Sequence, residues 1–190
     1  MNSQTINLLE VETKAQIYWC DISHLAAELL LARQALDELR ISHPESTPSN
    51  VKAVYMSPWK SHLLNTKLHP LCNSVIQTVK QICKDFWNTD MQGLNLDFLI
   101  ADCWGVTYQQ SDKTILHSHF PSDFSAVIYL DADDESAPII FEEKLLVKPK
   151  PNTLIIFPGY LRHEVPENSG KRTVLAMNLN KIPSFNQAAA

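Results

Sequence analysis

The sequence predicts an α+β chain that is mainly β, with helices first and a run of strands after them. Three observations carry this. Apolar residues recur at a helical period through the first half of the chain. From Leu94 onward the period changes to two. Short strand-like segments then follow at roughly ten-residue spacing with turn signals between them, the pattern of an antiparallel sandwich or barrel. A length of 190 residues suits one domain able to bury a proper core. The expected arrangement is a single domain over 1–190, in which 1–93 is a mostly helical support and 94–182 the β core.

Asp21 or Ser23 stands where it can cap a first helix, whose apolar face is Ile22, Leu25, Ala26, Leu29, Ala32, Leu36 and Leu39. That helix should stop before His43-Pro44 and a polar loop. Leu71, Val75, Val79, Ile82 and Phe86 form the stripe of a second helix, with Pro70 suited to its first turn. Leu94, Leu96, Phe98, Ile100, Trp104, Val106 and Tyr108 alternate along one long strand and should share a face. Further strands are expected at Ser125–Leu130, Ala137–Phe141, Leu145–Val147, Thr153–Phe157 and Arg172–Leu179. There is no internal repeat, and the Gln187–Ala190 tail is expected to fray.

Composition narrows the function classes. A formal charge of −5 without a Lys/Arg stripe argues against a nucleic-acid partner. The most apolar window, Leu25–Leu36, is broken by Glu28 and Arg33 and is too short to span a bilayer. Glu10, Glu12 and Lys14 sit where a signal peptide would be apolar. Cys20, Cys72, Cys83 and Cys103 form no Cys-x-x-Cys pair, and they are expected to be reduced and mostly buried in a cytoplasmic protein.

The chemistry concentrates between His117 and Arg172. His117 and His119 are two apart, so in an extended segment both side chains leave the same face. His163 lies 44 positions after His119, just beyond a Thr-Leu-Ile-Ile-Phe-Pro strand and turn, and Arg172 follows nine residues later. Three neutral imidazoles can occupy one face of an iron(II) coordination shell and leave the opposite face open. The arginine adds a site for a dicarboxylate beside the metal. His24, His43, His62 and His69 show no such arrangement and are assigned to surface or capping roles.

In these residues the segment Trp104–Asn180, about 75 of 190 residues, resembles the iron(II)/2-oxoglutarate-dependent oxygenases. The likeness runs through Trp104 and Tyr108, His117-Ser-His119-Phe-Pro121, Ser125-Ala-Val-Ile-Tyr129-Leu and Phe157-Pro-Gly-Tyr-Leu161-Arg-His163. It is nearest to the group of 2-oxoglutarate oxygenases that carries a His-x-His-Pro-like motif, and it also resembles the prolyl hydroxylases. The resemblance implies a double-stranded β-helix (jelly-roll, cupin-like) with N-terminal supporting helices. It implies Fe(II) and 2-oxoglutarate as cofactors, His117 and His163 as metal ligands, and Arg172 as partner of the far carboxylate. Tyr129 and Tyr108 match positions whose hydroxyls help to hold the co-substrate, although each also fits a core role. Hydroxylation of a C–H bond in a small molecule or peptide side chain is the implied reaction, with succinate and carbon dioxide released.

The chain departs from that pattern at three places. His119 stands where most of the superfamily has Asp or Glu, so the ligand set lacks a carboxylate unless Asp123 folds back as a substitute. Ser111 replaces the glycine of the prolyl hydroxylase series, and Ala126 the glycine of the nearer group. Two other readings stay open. One is a cupin-type dioxygenase or isomerase using His117, His119, Asp123 and His163 without 2-oxoglutarate. The other is a non-catalytic jelly-roll that binds a metal or small acids. Trp59, Trp104 and the Tyr160-Leu161 turn are candidates for the mouth of the site, and neither the substrate nor the oligomeric state follows from the sequence.

Overall fold

The computed structural model describes residues 14–184. The charged Glu10–Glu12 stretch and the Gln187–Ala190 tail lie outside the described residues. Two antiparallel sheets face each other as a double-stranded β-helix, with helices against the outer face of the larger sheet. The strands are β1 Tyr18–Asp21, β2 Val51–Lys52, β3 Tyr55–Met56, β4 Leu96–Tyr108, β5 Lys113–His117 and β6 Phe124–Ala132. They continue as β7 Ile139–Phe141, β8 Leu145–Val147, β9 Thr153–Pro158, β10 His163–Val165 and β11 Arg172–Pro183. The larger sheet has the order β1-β9-β6-β11-β4-β3 and the smaller β2-β5-β10-β7-β8.

The helices follow the apolar stripes closely. Helix α1 (Ala26–Ser42) buries Leu29, Ala32, Ala35, Leu36 and Leu39 and closes at His43, whose N–H reaches the Leu39 carbonyl. A short helix α2 spans Ser61–Leu64. Helix α3 (His69–Trp87) carries Pro70 in its first turn and buries Leu71, Val75, Val79 and Ile82. Phe86, the last residue of that stripe, is 65 % exposed and lies against the Tyr18 ring at 5.1 Å. The expected side-chain cap of α1 is absent. A 3₁₀ turn at Ser23–Leu25 precedes the helix, and Asp21 caps that turn by accepting the Ser23 N–H at 2.8 Å.

Two apolar cores result, one on each face of the larger sheet. Leu175, Met177, Leu179, Ala126, Ile128, Leu154 and Ile156 face the helices. Val174, Ala176, Val127, Tyr129, Ile155 and Phe157 face inward, toward the smaller sheet. Gly105 permits the close approach of α1, since a Cβ there would lie 2.4 Å from Leu36 Cδ2.

Strand β4 corrects the expectation of one continuous face. Its register with β11 skips between Asn178↔Asp102 and Leu179↔Ile100, so β4 carries a bulge at Ala101. One extra residue exchanges the two faces. Phe98, with Leu96 and Ile100 packed beside it, therefore joins the helix-side core, whereas Trp104, Val106 and Tyr108 turn inward. Leu94 lies before the strand and is exposed. Strand β1 went unforeseen because four residues of alternating exposure at a sheet edge leave little periodic signal.

The return from His163 to Arg172 also differs from a simple hairpin. β10 belongs to the smaller sheet, paired with β5 and β7, while β11 lies in the larger sheet between β4 and β6. The turn thus carries the chain across the sandwich, and Arg172 faces the histidines from the opposite wall. Ser111 keeps the turn before β5 by adopting a left-handed φ of 69°, the conformation a glycine would take freely.

Candidate metal centre

The smaller sheet supplies the histidines. His117 ends β5 and pairs directly with His163, the first residue of β10. His119 follows in the loop after β5, where its N–H donates to the Gly159 carbonyl at 2.7 Å. Glycine is required at that contact, because a Cβ on Gly159 would lie 2.1 Å from the backbone oxygen of Ser122. The Pro158-Gly159 turn and the His119–Ser122 loop are therefore locked together, and the loop is placed by backbone rather than by side chains.

Three imidazoles converge as a result. One nitrogen from each of His117, His119 and His163 lies within 4.8 Å of the others, and no carboxylate joins the group among the described residues. The ring centroids are 4.3 Å apart for His117–His163, 4.8 Å for His117–His119 and 5.0 Å for His119–His163. His117 Nδ1 donates to the Ile115 carbonyl at 2.8 Å, and His163 Nδ1 to the Leu161 carbonyl at 3.1 Å. A ring nitrogen bonded to a carbonyl carries the proton, which leaves Nε2 with a free lone pair for a cation.

The electrostatics keep these rings neutral. Burial pushes His119 down to about 3, helped by His163 and His117 beside it. His163 also falls to about 3, through burial first and then its neighbour His117, with Arg172 adding a smaller push. Burial lowers His117 as well, opposed by the carbonyl of Ile115. Neutral imidazole is the form that ligates a metal, so no proton has to leave at physiological pH.

Asp123 does not complete the set. Its carboxylate accepts the Lys181 N–H at 2.6 Å and faces the Lys181 ammonium at 3.8 Å, on the helix side of the larger sheet's end. The expected substitute ligand is thereby held away by β11.

Across the sandwich sits Arg172, 1 % exposed and without a carboxylate partner among the described residues. Its guanidinium carbon lies 4.6 Å from the Tyr108 ring centroid and 5.5 Å from that of Tyr129. Nε and Nη1 of Arg172 and the hydroxyl of Tyr129 are buried without a hydrogen-bond partner. Tyr108 differs, since its hydroxyl is already bonded to Thr114 Oγ1 at 2.7 Å. Tyr108 therefore supports the guanidinium with its ring, and Tyr129 offers the free hydroxyl. One cavity is lined by the three histidines, Tyr108, Thr114 and Arg172 together. A roomier hollow, about 530 Å³, lies elsewhere between β1, β9 and α3, is mostly apolar and contains none of these groups.

Three side chains support the site, of which Trp104 was a candidate for its mouth while Phe157 and Thr114 had no expected role there. Phe157 packs on His163 at 4.8 Å, Trp104 on His119 at 5.5 Å, and Thr114 anchors Tyr108. Their signal was the inward alternation of β4, β5 and β9. Trp59, half-buried, stacks edge-on against Trp104 at 4.8 Å, whereas Tyr160 is exposed.

No protein-family model and no curated protein matches this chain. Solved structures do match it in fold. The epimerase SnoN from nogalamycin biosynthesis, described as non-haem and α-ketoglutarate-dependent, superposes with a TM-score of 0.62 at 13 % identity, over 86 % of this chain and 76 % of that one. EctD from S. alaskensis, solved with 2-oxoglutarate and 5-hydroxyectoine, gives 0.62 at 12 % identity, over 93 % and 78 %. A prolyl-4-hydroxylase from Pseudomonas putida gives 0.57 at 16 % identity, over 86 % and 92 %. The chain thus shares with these structures a double-stranded β-helix fold, here flanked by N-terminal helices.

Proposed function

We propose that this chain is an Fe(II)- and 2-oxoglutarate-dependent oxygenase that hydroxylates a C–H bond of a small molecule or peptide side chain. The observation that carries the proposal is the pairing of two unmet demands in one cavity. Three neutral imidazoles converge from one wall, those of His117 and His163 with Nε2 free, and a buried guanidinium lacks an anion on the other. A buried unpaired charge is costly, several kcal/mol even after relaxation. Such a group persists where a ligand completes it.

His117, His119 and His163 would hold the iron, with the carbonyls of Ile115 and Leu161 fixing the orientation of the first and third rings. Arg172 would clasp the distal carboxylate of 2-oxoglutarate with its guanidinium, whose Nε and Nη1 are buried without a partner among the described residues, through charge-assisted hydrogen bonds. The Tyr129 hydroxyl would donate to the same carboxylate. Trp104 and Phe157 would shield the metal-facing side from water. When bound, iron and 2-oxoglutarate supply the oxidising equivalents that place one oxygen atom of O₂ on the substrate, with succinate and carbon dioxide as co-products.

The absence of a carboxylate ligand leaves the metal's charge higher by one than in a two-His-one-carboxylate site. That favours a dianionic co-substrate by Coulomb attraction. The cupin-type reading needs Asp123 on the metal, and the Lys181 contacts speak against it. In the same proposal the chain acts as one domain, with 1–93 as support and 94–182 as core. No described helix is long and apolar enough to cross a membrane. The four cysteines are free, which suits the cytoplasm.

The test is succinate release from the purified protein supplied with Fe(II), O₂ and 2-oxoglutarate. Iron-dependent succinate that disappears when Zn(II) replaces iron supports the proposal, because zinc has no redox chemistry. Neither succinate nor 2-oxoglutarate binding would refute it.

A further inference from the structure

Beyond the row of residues that touches the histidines, the inward face of the larger sheet turns polar. Strand β11 alternates regularly, with Leu175, Met177 and Leu179 on the helix side, so Val174, Ala176, Asn178 and Asn180 share the inward side. Ala176 pairs with Trp104, whose ring lies 5.5 Å from His119. Asn178 comes one step of about 7 Å further along the strand, away from Arg172 and just past the cavity lining that ends at Ala176. It pairs with Asp102 on β4 and Ser125 on β6. Ser125 in turn pairs with Phe157, which touches His163. The row Asp102–Asn178–Ser125 is therefore the next layer above the metal-facing one.

Its hydrogen bonds are only partly used. Ser125 Oγ donates to Asn178 Oδ1 at 3.0 Å, and Asn178 Nδ2 donates to Asp102 Oδ2 at 3.3 Å. Lys60 pairs with the other Asp102 oxygen at 3.1 Å. Asn178 is 6 % exposed and Ser125 1 % exposed, yet the second Nδ2 hydrogen of Asn178 has no partner among the described residues. On the same face, Asn180 Oδ1 is buried with none. A spare N–H and a spare acceptor two residues apart on one face of the strand, about 7 Å from each other, can meet the carbonyl and the N–H at opposite edges of an amide.

We propose that Asn178 and Asn180, braced by Ser125 and Asp102, form a substrate-positioning shelf that takes an amide group and holds the neighbouring carbon over the histidines. This rests on the oxygenase reading and narrows its substrate class to amides, whether a peptide bond or a free carboxamide. An acceptor left buried without a partner among the described residues disfavours folding, and a ligand N–H would satisfy it.

The test uses two probe series on the full chain loaded with Fe(II) and 2-oxoglutarate without oxygen. One series is N-acetyl dipeptide methylamides, the other small carboxamides, each compound with a matched ester lacking the N–H. Binding is read by saturation-transfer NMR. At least one amide should bind ten or more times tighter than its ester, and the series in which it falls names the source. In Asn180→Ala the preference should shrink below twofold while the melting temperature stays level or rises. A structural asparagine would instead lower the melting temperature and leave the preference intact. Asn178→Ala should weaken the preferred amide at least tenfold. Equal binding of amide and ester, or no binding in either series, overturns the shelf. Succinate release from the same batches separates the two claims. Turnover without an amide preference defeats only the shelf, and an amide preference without turnover defeats only the oxygenase.

Discussion

Replacing Arg172 by leucine should weaken 2-oxoglutarate while leaving the ligand-free protein no less stable. A guanidinium can give two parallel hydrogen bonds to one carboxylate, and that of Arg172 is buried with Nε and Nη1 unpartnered among the described residues. Each charge-assisted hydrogen bond to a carboxylate contributes about 1.5–3 kcal/mol. Losing both removes roughly 3–6 kcal/mol, or about two to four orders of magnitude in affinity. In the free protein the same change deletes a buried charge that no carboxylate offsets, and leucine suits the neighbours Tyr108 and Tyr129. The lost cation–π contacts, about 0.5–2 kcal/mol each, work in the opposite direction. The melting temperature should therefore hold steady or rise by about 2–4 °C per kcal/mol of net gain for a domain of this size. Calorimetric titration of 2-oxoglutarate into the iron-loaded protein reads the first effect and thermal melting of the metal-free protein the second. Equal affinities in wild type and Arg172→Leu, or a variant that melts many degrees lower, would refute the reasoning, since Arg172 would then be architectural.

Three further outcomes follow from the site. His119→Asp should retain one iron per chain and bind it more tightly, because a carboxylate cancels one charge on the metal; loss of metal by elemental analysis would show that His119 is no ligand. Gly159→Ala should open the turn against Ser122, cost about 1–3 kcal/mol in denaturant unfolding and lower iron affinity at least tenfold by displacing His119. Stability of the metal-free protein should fall as the pH drops from 6.5 toward 3 and level off above 6.5. His119 and His163 titrate near 3 when folded but near 6.5 when unfolded, so over that window the unfolded chain binds more protons. A His119→Gln/His163→Gln double variant should show a shallower slope in thermal melts across this range, and an unchanged slope would contradict it.

The parts of this molecule legible in its sequence are those set by short-range pattern. The α1 and α3 stripes and the strands at Leu145–Val147 and Thr153–Phe157 are local patterns, whereas His119 lies beyond the end of β5 and is placed by its backbone contact with Gly159. What the sequence conceals is set by pairing across distance. The bulge at Ala101 is visible only against β11, and it decides that Trp104 faces the histidines while Phe98 faces the helices. The contacts of Asp123 with Lys181 depend on two strand ends meeting. The crossing from β10 to β11 sets Arg172 opposite the histidines, and nine residues of spacing do not distinguish that from a hairpin. Polar residues in an inward row, such as Asn178 after Val174 and Ala176, are a signal that becomes readable once the register is known.

The central claim is that one cavity binds iron through three histidines and 2-oxoglutarate through Arg172. Anaerobic addition of 2-oxoglutarate to the Fe(II)-loaded protein tests both halves at once, since the 2-oxoacid chelate of iron gives a weak visible absorption. This band should grow to saturation at one equivalent per chain, be absent without iron, and require far higher 2-oxoglutarate in Arg172→Leu. A protein that takes up iron yet develops no such band at any 2-oxoglutarate concentration would contradict the claim.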